Sequence, residues 1–247
     1  LAELFDPRER TAAYRATTLR PDAPAMRVHL LEALTRLTSV ERAPFTLFIA
    51  AHGAPAEDPS DAALDLWSGD VFGVRDLAEV YTNSRTRIVA VITSCYGGAF
   101  AETALDTHAS VVSCGLFATT HDRVASGCDE NPERSAQEGF ALHFWNALRS
   151  MDRAGEALSR ETLDLDRDGR VSYLEAHARA RIASRGFDVP TTTSERYLRA
   201  LTTDRELDVD ALVPTTDAVE QSVIDTLASV RSEPARRPWL EWSISGR

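Results

Sequence analysis

The stretch Arg87-Ile-Val-Ala-Val-Ile-Thr-Ser-Cys-Tyr-Gly-Gly98 decides how this chain folds. Its first half is an unbroken apolar run rich in β-branched residues, too short for a helix, and it stops at a glycine pair. A strand apolar on both sides is covered on both faces, as parallel strands are. Two further runs have the same character: Pro44-Phe-Thr-Leu-Phe-Ile-Ala-Ala51, which ends at His52-Gly53, and Ala109-Ser-Val-Val-Ser-Cys-Gly-Leu-Phe117. Helical patterns alternate with them. Met26 to Ser39 sets Val28, Leu30, Leu31, Leu34 and Leu37 at helical spacing behind Pro24, and Gly73 to Tyr81 and Ala99 to Leu105 read as helices too. This alternation predicts an α/β protein with a mostly parallel sheet flanked by helices. In such sheets functional residues gather beyond the carboxyl ends of the strands, where His52 and Cys95 stand.

Outward from that core the pattern changes. Ala54 to Gly73 is rich in Pro, Asp, Ala and Ser and reads as a surface loop, and Ala118 to Glu133 is polar and loop-like. Ser135 to Met151 predicts a long helix carrying Phe140, Leu142, Phe144, Trp145 and Leu148. After Asp152 helical patterns occur at 153–163, 172–185, 194–203 and 216–231. The expected division is therefore residues 1–151 as one domain and 152–247 as a helical C-terminal region. In the irregular tail from Pro234, Trp239, Leu240 and Trp242 are expected to dock on the protein, since exposed tryptophans are costly.

Composition narrows the partners. The 247 residues carry 38 acidic and 27 basic side chains, a net charge of −11, and every basic residue is Arg. That balance argues against sequence-independent nucleic-acid binding, which needs clustered cations against phosphate. Proteins, cations or small molecules are the partners it favours. With 43 % hydrophobic residues the chain can bury a core, yet no run of about 18 apolar residues offers a membrane span. Three cysteines, Cys95, Cys114 and Cys128, form no CxxC pair, so a reducing, cytoplasmic setting is expected. Cys114 reads as a packed thiol and Cys128 as incidental. Leu1 to Arg10 lacks the apolar segment of a secretory signal.

A nucleophilic thiol needs a base in reach and donors for the oxyanion it creates. Cys95 and His52, each ending an apolar strand, can face each other across one rim. The Gly53 and Cys95 amides can make an oxyanion pocket, and Gly97-Gly98 allows a sharp turn into a helix whose N-terminus favours the thiolate. The ordinary alternative is a packed cysteine and an unrelated histidine. His29, His108, His121, His143 and His177 are scattered without metal-ligand spacing.

On Ile49-Ala-Ala-His52-Gly53 and Thr93-Ser-Cys95-Tyr-Gly-Gly-Ala-Phe100, the chain resembles the caspase-like cysteine peptidases, the clan of caspases, metacaspases and legumains. The likeness spans about residues 26–151 and is nearest to bacterial legumain-like and prokaryotic caspase-like members. The 43 positions from His52 to Cys95 are near the roughly 50 that separate this pair in caspases. The resemblance implies a caspase-like fold and a Cys/His dyad that hydrolyses peptide bonds of a protein or peptide substrate; the family's opening strand has no convincing counterpart before Met26, a departure that a strand upstream of Leu1 or a cut fragment would account for. The resemblance also implies latency relieved by an upstream activating protease or regulator. Thr93 stands where metacaspases carry Asp, legumains Glu and caspases Gln, each shaping the specificity pocket. The loop Ala125 to Glu133 falls where the family builds a pocket wall, so Thr93, Ser126, Asp129 and Glu130 are candidate substrate contacts. With Glu133, Asp129 and Glu130 would favour a basic substrate residue, although an exposed acidic loop is the more ordinary reading. Two other functions compete: a catalytically silent calcium-binding scaffold or sensor, and a related transamidase.

Asp164-Leu-Asp-Arg-Asp-Gly-Arg-Val-Ser-Tyr-Leu-Glu175 matches a twelve-residue EF-hand calcium loop at each diagnostic position. Carboxylates of Asp164, Asp166 and Asp168, the Arg170 backbone carbonyl and a bidentate Glu175 are the expected ligands of Ca2+, with Gly169 at the bend. Such a loop often comes after the catalytic region of caspase-like bacterial proteins. Ser172 and Glu175 also read as a helix capping box. Between Asp152 and Glu175 seven acidic residues meet four arginines, so part of the net charge is concentrated at this proposed cation site. One loop without a paired second reads first as a structural staple.

Overall fold

The computed structural model describes residues 18, 20–41, 43–105, 111–127, 138–202, 218–219 and 221–223. Cys128, Asp129, Glu130, Glu133, His108 and the tryptophans of the tail lie outside these residues.

The chain divides into two compact units, one of residues 1–139 with 185–196 and one of 140–184 with 197–247. The expected seam near residue 151 instead falls between Gly139 and Phe140. The helix starting at Phe140 belongs to the second unit because its aromatic face packs there. Phe140 stacks on Phe144 and meets His177 edge-on, and Phe144 contacts Tyr173.

The first unit holds a four-stranded mixed, mostly parallel sheet accompanied by helices. Helix α1 (Arg27–Thr38) leads to β1 (Phe45–Ile49), which pairs in parallel with β5 (Ile88–Ile92). Strand β5 pairs in parallel with β6 (Cys114–Phe117), and β6 pairs antiparallel with β7 (Thr191–Thr192) at the edge. Strand β5 is central. Its Ile88, Ala90, Val91 and Ile92 have no exposed surface, and burying an aliphatic side chain of the larger kind contributes about 1.5–3 kcal/mol. Leu34, Leu47, Ile49, Phe72, Leu77, Phe100 and Phe117 complete this core. The third strand is shorter than Ala109–Phe117 suggested, and Cys114 is exposed at its first position rather than packed inside.

The surface loop expected at Ala54–Gly73 is instead a small antiparallel sheet. It consists of β2 (Gly53–Ala54), β3 (Ala63–Asp65) and β4 (Val71–Gly73), with 3-10 turns at Pro59–Asp61 and Trp67–Gly69. Helix α2 (Val74–Asn83) begins directly after β4. The Asp76 carboxylate accepts the Gly73 N–H at 2.8 Å and holds the Arg27 guanidinium, tying α2 to α1.

In the second unit, α3 (Phe140–Leu148) and α4 (Tyr173–Ala183) pack together. The helix expected at 153–163 is replaced by a turn closed by a Met151–Ala157 bridge and a 3-10 turn at Arg160–Thr162. Gly155, at φ +90°, takes a conformation no helix continues through. Helix α4 starts as the capping-box reading expects: Ser172 Oγ accepts the Glu175 N–H and Glu175 Oε2 accepts the Ser172 N–H. Helix α5 (Thr193–Thr202) begins in the first unit and ends in the second. Of the helix expected at 216–231, residues 218–219 and 221–223 are described and are helical; Val219 and Val223 pack on Ala178. Among the described residues no helix is long and apolar enough to cross a membrane.

Candidate functional site

Two groups of residues are candidates for a functional site, one in each unit. In the first unit the register of the parallel pair does the positioning. Ile49 lies opposite Ile92, and His52 and Cys95 each stand three residues beyond that pair. The strand ends are stitched together. Thr93 N–H donates to the Ile49 carbonyl at 3.0 Å, Thr93 Oγ1 donates to the same oxygen at 3.4 Å, and Ala51 N–H donates to Ser94 Oγ at 3.2 Å. The Thr93 hydroxyl is thus engaged on β1 and does not need a substrate to satisfy it.

Gly53 lies directly against Cys95. A Cβ added to Gly53 would fall 2.1 Å from the Cys95 carbonyl oxygen, so a side chain is excluded by backbone. The Asp65 N–H donates to the His52 carbonyl at 2.8 Å, which makes Gly53 and Leu64 a non-hydrogen-bonded pair. The Gly53 N–H therefore turns away from β3. His52 is exposed and Cys95 is half-buried.

The sharp turn after the thiol is made by Tyr96, not by the glycines. Tyr96 sits at φ +57°, a left-handed conformation that costs a non-glycine residue about 1–2 kcal/mol. Its N–H donates to the Arg123 carbonyl at 2.7 Å and its carbonyl accepts from Ala99 at 3.0 Å, which hold it there. Gly97 and Gly98 serve close approach instead. A Cβ on Gly98 would meet the Thr119 carbonyl at 2.5 Å, and one on Gly97 would press on the Ile92 side chain. From Gly97 to Leu105 the chain winds as a 3-10 helix.

The loop after β6 covers the sulfur. Ala125 N–H donates to Cys95 Sγ at 3.3 Å, and the Ala125 carbonyl lies 3.8 Å from the same atom. Asp122 helps shape this loop. Burial opposes its charge, but the Thr120 hydroxyl at 2.6 Å, its own backbone N–H, His121 and Arg123 outweigh that and hold the carboxyl below its usual range. Ser126 is next in the chain after Ala125, and its N–H donates to Asp188 Oδ1 at 2.5 Å. Neither the Ala125 backbone nor Asp188 could be read from the sequence. A main-chain donor has no residue signature, and Asp188 comes from a segment 62 positions away.

In the second unit, carboxylate oxygens of Asp164, Asp166 and Asp168 lie within 4.8 Å of one another. Glu175 is only 1 % exposed, and its oxygens accept the N–H groups of Leu165 at 2.6 Å, Asp166 at 3.3 Å and Ser172 at 2.7 Å. It clasps the two ends of the loop and does not join the three aspartates. Asp168 N–H bonds to Asp166 Oδ1, and Arg170 N–H bonds to Asp168 Oδ1 at 2.8 Å. Arg167 and Gly169 carry the positive φ angles of the bend.

Asp164 is 8 % exposed and divides its oxygens. Oδ2 accepts Gly169 N–H and Arg160 Nε, both at 3.1 Å, while buried Oδ1 has no hydrogen-bond partner. A buried carboxylate oxygen without a donor is costly, and a cation would satisfy it. An all-oxygen set of carboxylates fits a hard divalent ion. Arg160, whose Nη2 also bonds the Gly169 carbonyl, is a residue the sequence does not single out.

No family model matches the chain, and no curated protein does. Among solved structures, it is similar to the protein GSU0716 from Geobacter sulfurreducens, at 12 % identity and a TM-score of 0.41. That likeness covers 68 % of this chain and 72 % of the other, and it carries no functional argument.

Proposed function

We propose that the chain is a caspase-like cysteine endopeptidase that acts on protein or peptide substrates through Cys95 and His52. The observation that carries this reading is the in-register placement of the two residues beyond Ile49 and Ile92, with Gly53 seated on the Cys95 carbonyl. The clan resemblance of the two motifs supports it.

The chemistry rests on these groups. His52 takes the Cys95 thiol proton, and the thiolate attacks the scissile carbonyl carbon to form a C–S bond. The Gly53 and Cys95 amides are the donors for the resulting oxyanion. As the C–N bond breaks, imidazolium returns its proton to the leaving amine. Water, deprotonated by His52, then cleaves the acyl C–S bond and the thiolate recovers a proton. The Ala125 N–H on Sγ favours the thiolate form throughout.

We further propose that Asp164 to Glu175 is an EF-hand-type loop that holds Ca2+, with Asp164, Asp166 and Asp168 as carboxylate ligands and Glu175 and the Arg170 carbonyl as the remaining candidates. Bound there, the ion would neutralise the loop and fix the start of α4. The orphaned Asp164 Oδ1 supports this reading. A cytoplasmic setting and release from latency by an upstream protease or regulator belong to the same proposal.

A peptide-library cleavage assay with and without calcium tests activity, specificity and metal dependence together. Cleavage lost in Cys95→Ala and in His52→Ala is the expected result. Calcium binding with no cleavage, and no thiol labelling that depends on His52, would favour the scaffold reading, which the acidic loop alone can support. Product joined to an added amine rather than hydrolysed would identify a transamidase.

A further inference from the structure

We infer that Asp188 is a positioning residue for the Cys95 thiol, acting through the Ala125–Ser126 peptide; this rests on the reading of Cys95 as a nucleophile. The N–H of Ser126 and the carbonyl of Ala125 belong to one peptide plane. In a trans peptide the two point in opposite directions. Asp188 Oδ1 accepts the N–H at 2.5 Å on one side, and Cys95 Sγ lies 3.8 Å from the carbonyl on the other. Asp188 therefore fixes the orientation of the peptide plane whose opposite edge, the Ala125 carbonyl, lies toward the sulfur. With it is fixed the preceding Ala125 N–H, which donates to Sγ at 3.3 Å.

Asp188 lies in the segment that leads into an anchored strand. Two residues separate it from β7, whose Thr191 and Thr192 pair with Phe117 and Leu116. Just beyond, Thr193 Oγ1 accepts the Gly115 N–H at 3.2 Å. Glu195 closes this segment on itself by accepting the Thr192 N–H at 3.0 Å. The contact with Ser126 is also crowded. A Cβ on Gly139, at φ +149°, would lie 3.2 Å from the Ser126 side chain and 3.6 Å from Asp188 Oδ2. The loop over Cys95 is thus pinned at both ends: Arg123 grips the Tyr96 N–H, and Asp188 grips Ser126. A carboxylate acceptor makes the stronger hydrogen bond to a backbone N–H and polarises the peptide it holds.

The role requires an acceptor at that point, and Asn supplies one where Ala does not. The test is the rate of iodoacetamide alkylation of Cys95 in the full-length protein at fixed pH, read by site-resolved mass spectrometry, with exposed Cys114 as the internal reference thiol. Asp188→Ala is expected to slow Cys95 about fivefold to tenfold without changing Cys114, because the thiolate loses its oriented donor. Asp188→Asn is expected to retain most of the wild-type rate. Thermal melting of each variant accompanies the rates, and Asp188→Ser, too short to reach Ser126, replaces Ala should that variant not fold.

Burial pushes the Cys114 thiol up, so the outside standard is a free thiol: wild-type Cys95 reacting no faster than N-acetylcysteine at the same pH would remove the nucleophile reading on which this rests. A fast wild-type Cys95 with unchanged Asp188→Ala or Asp188→Ser would overturn the positioning role alone. Equal slowing in the Asn and Ala variants would do the same, since an acceptor would then not be what matters.

Discussion

The strand-end site and the acidic loop are built by opposite means. His52 and Cys95 are 43 positions apart and take equivalent places beyond neighbouring strands because β1 and β5 pair in one register, and the surroundings of Cys95 come from other segments, at Ala125 and, through Ser126, at Asp188. The acidic loop spends twelve consecutive residues to bring three carboxylates together, and Glu175 closes it from its own last position. The first arrangement depends on the sheet, so it is vulnerable anywhere the sheet is. The second depends on local backbone turns and on charge.

The largest effect separating the two should come from the thiol. Cys95→Ala should abolish peptide cleavage, and His52→Ala should lower kcat/KM by about 10²–10⁴-fold, the range for a general base. Neither change should alter calcium affinity measured by titration calorimetry. A joint loss would show that the two sites are not independent.

Glycine substitutions sharpen the same contrast through stability. Gly53→Ala forces a methyl into the Cys95 carbonyl, a backbone atom that cannot rotate away, and should cost about 1–3 kcal/mol. Gly169→Ala meets nothing closer than an Arg160 nitrogen at 3.4 Å, but must adopt φ +90° and should cost about 1–2 kcal/mol. Denaturant midpoints and Cys95 alkylation distinguish them: only Gly53→Ala should also slow the thiol. An unaltered Cys95 in Gly53→Ala would mean that Gly53 does not set the geometry of the site.

This contrast also governs what the sequence discloses. The β1 and β5 runs are legible because both are short and predominantly apolar, although edge strand β1 leaves Phe48 43 % exposed rather than covered on both faces, and His52 and Cys95 follow their ends. Strands β2, β3 and β4 are not legible, since two or three residues cannot show alternation, and Gly53 acquires its partner only through them. The glycine pair after Cys95 suggests the turn, whereas Tyr96 takes the left-handed conformation and the glycines admit neighbouring backbone. In the acidic loop nearly every role is local, so the register Asp164, Asp166, Asp168 and the Ser172–Glu175 box can be read directly. Arg160 escapes because its contact depends on how the 3-10 turn at Arg160–Thr162 directs it back. The seam at residue 140 escapes because the apolar face of α3 does not state which unit it packs against.

Calcium removal tests the local site by mass action. A ligand that binds only the folded state at 100 times its Kd stabilises by about 2.7 kcal/mol, so chelation should lower Tm by several degrees in wild type. Asp168→Ala should weaken binding at least tenfold and abolish that shift. If chelation lowers Tm but leaves turnover unchanged at a temperature where the protein stays folded, the loop is a staple and not a switch.

The smallest expected effect is the most specific. Arg160 Nε donates to Asp164 Oδ2 at 3.1 Å while Nη2 bonds the Gly169 carbonyl, so its guanidinium competes for the same carboxylate that a calcium ion would use. The Arg160 side chain is 65 % exposed, and such partly solvated pairs contribute about 0–1 kcal/mol. Removing it in Arg160→Ala should therefore tighten calcium binding by up to about fivefold and no more. Any lost arginine also removes a positive charge near the cation, so Arg170→Ala serves as the control: its side chain is exposed, and its N–H contact to Asp168 is made by the backbone and survives. Equal tightening in both variants would assign the effect to net charge. Tightening confined to Arg160→Ala would assign it to direct competition at Asp164, where the local site depends on a residue outside its own twelve.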